Sequence, residues 1–166
     1  KMFGIGGRSF TRTIASEMDL SYDEAEKLKV NLGHEQIKPT VKKNAEQAIE
    51  KTLDVWLAGV ELALGEFDSV DHLPNRILLC GGGSSLDQLV EALSTQEWHK
   101  DLPFTKKPTV HHIKPTEVVG IKDTTGVVND HTFITAMGLL RVGYDTMIGS
   151  SEGDTIKDKL NRLLRI

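Results

Sequence analysis

Cysteine is nearly absent from this chain: Cys80 is the single one, so no internal disulfide braces the fold, and its place in an apolar run reads as a buried thiol suited to a reducing cytoplasm. Long hydrophobic runs are missing too. No stretch approaches the roughly 20 apolar residues that cross a bilayer. Basic charge is in short supply, since 20 Lys and Arg against 24 Asp and Glu leave a net charge of -4, and nucleic-acid binding, which needs a basic field, is not expected. No Gly-x-Ser-x-Gly elbow and no nucleophile–base pairing stand out, so no catalytic residue is singled out. With one cysteine, and with His111 and His112 adjacent on a strand and therefore on opposite faces, no metal site is expected.

What is present belongs to an ordinary globular protein. Hydrophobic residues at 39% and charged residues at 27% of 166 exclude disorder and allow one domain with a real core. After Gly6 and Gly7, the spacing of Phe10, Ile14 and Met18 marks a helical face. Ser21 with Glu24 forms a capping box, and the helix it opens runs to about Leu32, with Gly33 as a left-handed stop. Pro39 opens the longest helix, along which Val41, Ala45, Ala48, Ile49, Leu53, Trp56, Val60 and Leu64 recur at steps of three and four.

The second half alternates strands and helices. Residues 76–80, bounded by Pro74 and three glycines, read as a buried parallel strand. A turn over 81–85 follows, and Ser85 with Gln88 reads as a second capping box for a helix whose inner face is Leu86, Leu89, Val90 and Leu93. Residues 110–113 and 118–121 read as two more short strands. Asp123 to Gly126 reads as a turn, and 132–142 as a helix with small residues Ala136 and Gly138 on one side. A linker over 149–153 leads to an amphipathic helix over 154–166, with Ile156, Leu160, Leu163 and Leu164 on one face and Lys157, Lys159, Arg162 and Arg165 around the rest.

Two groups carry candidate chemistry. The 81–85 turn lacks the Lys-Ser/Thr of a phosphate loop and the acidic partner of a dinucleotide fingerprint, and by itself such a turn is more often simple chain reversal than a ligand site. Glu26 and Lys29, three residues apart, share one side of a helix and by themselves make a surface ion pair.

Four segments in order resemble the actin-like ATPases of the bacterial FtsA and PilM type. Ile77-Leu78-Leu79-Cys80-Gly81-Gly82-Gly83-Ser84-Ser85-Leu86 resembles their adenosine motif. Gly6-Gly7-Arg8-Ser9-Phe10-Thr11 is similar to their glycine-pair entry, and Ala25 to Lys29 with Gly33 to their "AE-x-x-K…G" helix. Phe133 to Leu139 is similar to the late helix whose Ala and Gly pack on the other half of the molecule. Together these cover the chain to about residue 143.

The resemblance implies a ribonuclease-H-like, actin-type half-domain over 1–148, α/β with a mixed sheet plus a helical lobe over about 20–70. It implies ATP or ADP with Mg²⁺ as the cofactor of the complete protein. Gly6, Gly7, Glu26, Lys29, Gly82, Gly83 and Ser84 then face the nucleoside, with Glu26 on the ribose hydroxyls and Lys29 on adenine or ribose. The phosphate loops are expected N-terminal to residue 1, so this chain is expected to bind nucleotide weakly or not at all and to be inactive as an ATPase. Implied partners are further copies of itself in a polymer, and either the tubulin-like division protein or a pilus inner-membrane protein. A peripheral contact with the inner face of the membrane is implied through 154–166. A kinase-like or dehydratase-activator-like enzyme of the same superfamily, and an interaction module that has lost its nucleotide, remain open alternatives.

Overall fold

The computed structural model describes residues 1–33, 37–67 and 69–148. The expected linker and amphipathic helix over 149–166 lie outside the described residues.

Three helices come first. In α1, Gly7–Met18, Phe10 and Ile14 are buried as their spacing requires, with Thr11 buried beside them. Asp19 ends it in the left-handed conformation at φ 51°, which Asp tolerates better than most side chains. Helix α2, Tyr22–Val30, starts on the expected capping box: the Glu24 amide donates to Ser21 Oγ, and the Ser21 amide donates to Glu24 Oε2. It stops earlier than expected. Asn31 caps it and donates its side-chain amide to the Lys27 carbonyl, and Gly33 has no left-handed φ, so the glycine stop is not used.

Helix α3, Pro39–Gly65, has proline at its first position and runs 27 residues, about 40 Å at 1.5 Å per residue. Its buried stripe of Ala45, Ala48, Ile49, Thr52, Leu53 and Leu57 receives α1. It also receives helix α4, Asp87–Thr95, through Leu89, Ala92 and Leu93. One continuous core therefore runs from Phe10 and Ala25 through Ile49 and Leu53 to Leu93, Trp98 and Leu102.

Strand β1, Arg76–Leu79, pairs in parallel with β2, Thr109–His112, in the register Arg76↔Thr109 to Leu79↔His112, with α4 in the crossover. A parallel pair needs such a connection, because a tight hairpin cannot reverse the chain twice. Trp98, buried in the crossover, donates its indole N–H to the Leu93 carbonyl and meets Phe104 edge-on.

The protein is thus α/β in the broad sense, with five helices and a two-stranded parallel sheet among the described residues. Several expectations need correction. The sheet is parallel, not mixed. Residues 118–121 form no strand: a 3-10 turn over Pro115–Glu117 precedes them and Gly120 adopts φ 82°, which breaks extended pairing. Strand β1 is not buried on both faces, since Leu78 is half exposed and Cys80 is an exposed thiol. The Ser85–Gln88 box is absent, because 82–85 winds into a 3-10 turn that leaves Leu86 at the cap of α4.

The Asp123 turn is present: the carboxylate accepts from the Thr125 amide and hydroxyl and from the Val128 amide. Helix α5, Ile134–Ile148, turns Ile134 and Met137 inward, while Ala136 and Gly138 face solvent.

Candidate functional site

Three segments far apart in sequence meet around one cleft of about 560 Å³. The start of α1 supplies Gly7, Arg8 and Phe10; α2 supplies Tyr22, Glu26, Lys29 and Val30; the turn after β1 supplies Gly82, Gly83, Ser85 and Leu86. The volume lies within the range of small-molecule sites. Its glycine wall stands beyond the carboxyl end of a parallel strand, where open α/β sheets bind ligands.

The polar centre is a hydrogen-bonded group at the α1–α2 contact. Lys29 Nζ donates to the Gly7 carbonyl at 3.0 Å, to Thr11 Oγ1 at 2.8 Å and to Glu26 Oε2 at 2.8 Å. An ammonium has three protons, so this set commits them all. Thr11 Oγ1 also bonds Glu26 Oε2. Glu26 Oε1 makes no hydrogen bond among the described residues and is free to accept from a ligand. Burial pushes the Glu26 carboxyl up, but hydrogen bonds from Lys29 and Thr11 and the charge of Lys29 outweigh it. The group is held below the usual carboxylate range and stays ionised at neutral pH.

The glycine turn is braced from behind. Gly81 adopts φ 82° and ψ 162°, open in practice to glycine alone. Its amide donates to the His131 carbonyl, and Ser84 Oγ donates to the Gly81 carbonyl. His112 Nε2–H donates to the Ser84 carbonyl at 2.8 Å, its ring stacks on His131 at 3.9 Å, and Ser85 Oγ lies 3.0 Å from His131 Nε2. Gly82 and Gly83 differ from Gly81. Neither has a left-handed φ, and a Cβ at either would meet no protein atom within 4 Å. Protein packing does not demand glycine there; bare backbone keeps that wall of the cleft open.

Of the seven expected site residues, Gly7, Glu26, Lys29, Gly82 and Gly83 line the cleft. Gly6 caps α1 just outside it, and Ser84 is buried in the turn, its hydroxyl held by Gly81, while Ser85 takes the exposed position. Arg8, Phe10, Tyr22, Val30 and Leu86 escaped the sequence reading. One signal for Tyr22 was available: with Glu26 and Lys29 it stands at i, i+4 and i+7, one face of a helix.

His111 is exposed and His112 turns to the other side of β2, as adjacent strand residues must. Among the described residues no group of three or more His, Cys, Asp or Glu side chains is placed to hold a metal, and no helix is long and apolar enough to cross a membrane.

Comparison of the chain with protein-family models, with curated proteins and with solved structures returned no match.

Proposed function

We propose that this chain carries the nucleoside side of an adenine-nucleotide site in an actin-like scaffold protein of the FtsA or PilM type. The observation that carries the reading is the meeting, around one cleft, of the glycine-pair entry, the Glu26–Lys29 helix and the Gly82–Gly83 turn, three of the segments on which the resemblance rests. The chemistry suits a nucleoside. Glu26 Oε1 accepts from a ribose hydroxyl, Tyr22, Val30 and Leu86 offer apolar surface to a base, and the bare backbone at Gly82 and Gly83 lets a flat ring approach.

Arg8, on the cleft wall and without a hydrogen-bond partner among the described residues, is the cation available to phosphate. ATP or ADP with Mg²⁺ is the proposed cofactor of the complete protein. An actin-type half-domain is the proposed fold, and self-assembly with a division or pilus partner the proposed role. Contact with the membrane through 154–166 belongs to the same proposal.

The test is a titration of the ¹⁵N-labelled chain with adenosine and ADP. Amides around Gly82, Gly83 and Glu26 are expected to shift, with weak affinity. Gly82→Ala and Gly83→Ala are expected to abolish those shifts while leaving stability within about 1 kcal/mol, since each Cβ enters open space and lowers backbone entropy in the unfolded chain. Full binding by both alanine variants, or shifts confined to other regions, would reject the cleft as the nucleoside site.

A further inference from the structure

We propose that Thr11 is the positioning residue of this cleft: its hydroxyl joins Glu26 to Lys29 and holds the Glu26 carboxylate with one oxygen left for a ligand. The inference rests on the nucleoside reading for the ligand and adds a residue that lines no part of the cleft.

Thr11 is fully buried, and Phe10 and Ile14 beside it supply the apolar packing of α1. A buried hydroxyl is costly unless bonded, and packing alone is met as well by valine, its near-isostere. The hydroxyl makes three contacts. It accepts from Lys29 Nζ at 2.8 Å, and its single proton goes to Glu26 Oε2, with the Gly7 carbonyl 3.0 Å away as the alternative acceptor.

The consequence is geometric. Lys29 and Thr11 both bind Oε2, so the carboxylate is fixed through one oxygen and the other is left open. Glu26 and Lys29 lie on α2 and can pair by themselves, but a flexible pair at i and i+3 has many rotamers. Thr11, on α1, ties both members of that pair to a second element, while Lys29 itself also reaches the carbonyl of Gly7, the glycine that opens the cleft. A pre-oriented acceptor binds a hydroxyl donor without first losing side-chain freedom.

Thr11→Val removes the hydroxyl and keeps the volume; Thr11→Ser restores the hydroxyl and removes the methyl. Two quantities are read on the full chain by NMR: the titration midpoint of the Glu26 carboxyl carbon, and the shifts of the Gly82 and Gly83 amides with adenosine. The groups facing Glu26 are Thr11 from α1 and Lys29 from its own helix, with Arg8 on the cleft wall; only Thr11 is altered. T11V is expected to raise the Glu26 midpoint and weaken adenosine binding about tenfold, and T11S to bring both back.

A residue that merely packs would move the melting temperature and neither of these quantities. An unchanged Glu26 midpoint in T11V, or unchanged adenosine affinity, overturns the proposal. Absence of adenosine binding by the natural chain, with a midpoint that still moves in T11V and returns in T11S, sinks the nucleoside reading and leaves the positioning role standing. Should T11V not fold, Thr11→Ala, which introduces no added bulk, is read against the same outcomes.

Discussion

His131 shows how a single residue outside every sequence motif can hold the glycine turn of the cleft in place. Its carbonyl takes the Gly81 amide, its ring lies on His112, and Ser85 bonds its Nε2. Burial lowers its pKa first and the neighbouring His112 charge second, while Asp130 acts weakly in the opposite sense. A histidine whose folded pKa lies below its unfolded value, near 6.5, takes up protons more readily unfolded. Stability is therefore complete above about pH 6.5 and falls as pH drops from there through the lower, folded value. Urea denaturation at steps between pH 5 and pH 7.5 is expected to show this fall. His131→Gln is expected to flatten it, since glutamine keeps a polar partner for Ser85 and cannot charge. Equal slopes for the two proteins would show that His131 does not couple to unfolding.

At the scale of elements, α3 organises everything else. It serves two partners, α1 and α4, which both pack on it. Its apolar positions are not equivalent. Ile49 is fully buried, whereas Leu62, also apolar, is 69% exposed. Ile49→Ala is expected to destabilise the protein by about 2–5 kcal/mol, because burial is lost and the cavity it leaves joins the shared core. Leu62→Ala is expected to stay within about 0.5 kcal/mol. Chemical denaturation separates the two. Costs of similar size would mean that the two faces of α3 are not distinguished as described.

At the scale of the molecule, apolar side chains among the described residues stand exposed on β1 and along α5. Parallel sheets are ordinarily covered on both faces, yet the outward face of β1 and β2, with Leu78 and His111, is open. Helix α5 turns Ile134 and Met137 inward and leaves Leu140 and Tyr144, at i and i+4, facing out beside Leu139. Surfaces of this kind drive association when they are contiguous. The protein is expected to associate with rising concentration in sedimentation or light scattering, and Leu139→Lys with Leu140→Lys to shift it toward monomer. A monodisperse monomer at high concentration would count against this, and with it against the self-assembly part of the proposed role.

Local periodicity and capping chemistry determined much of this protein before any tertiary contact is considered. The helices begin where Gly7, Ser21 and Pro39 place them, because caps and proline act within one turn of chain, and the buried stripe of α3 is written at steps of three and four. The strand at Arg76 and the glycine turn were legible for the same reason. The cleft was legible in part: a carboxylate and an ammonium at helical spacing, and a run of glycines after a strand, are short-range patterns. What tertiary structure decided is which of these meet. Nothing local says that Thr11 is fixed by a lysine eighteen residues later, that Ser85 and not Ser84 faces the cleft, or that His131 braces a turn some fifty residues before it. The 118–121 strand and the buried face of β1 failed on the same ground: both needed a neighbouring strand or layer. Extended pairing and two-sided burial are properties of partners in space, whereas a helix closes its own hydrogen bonds.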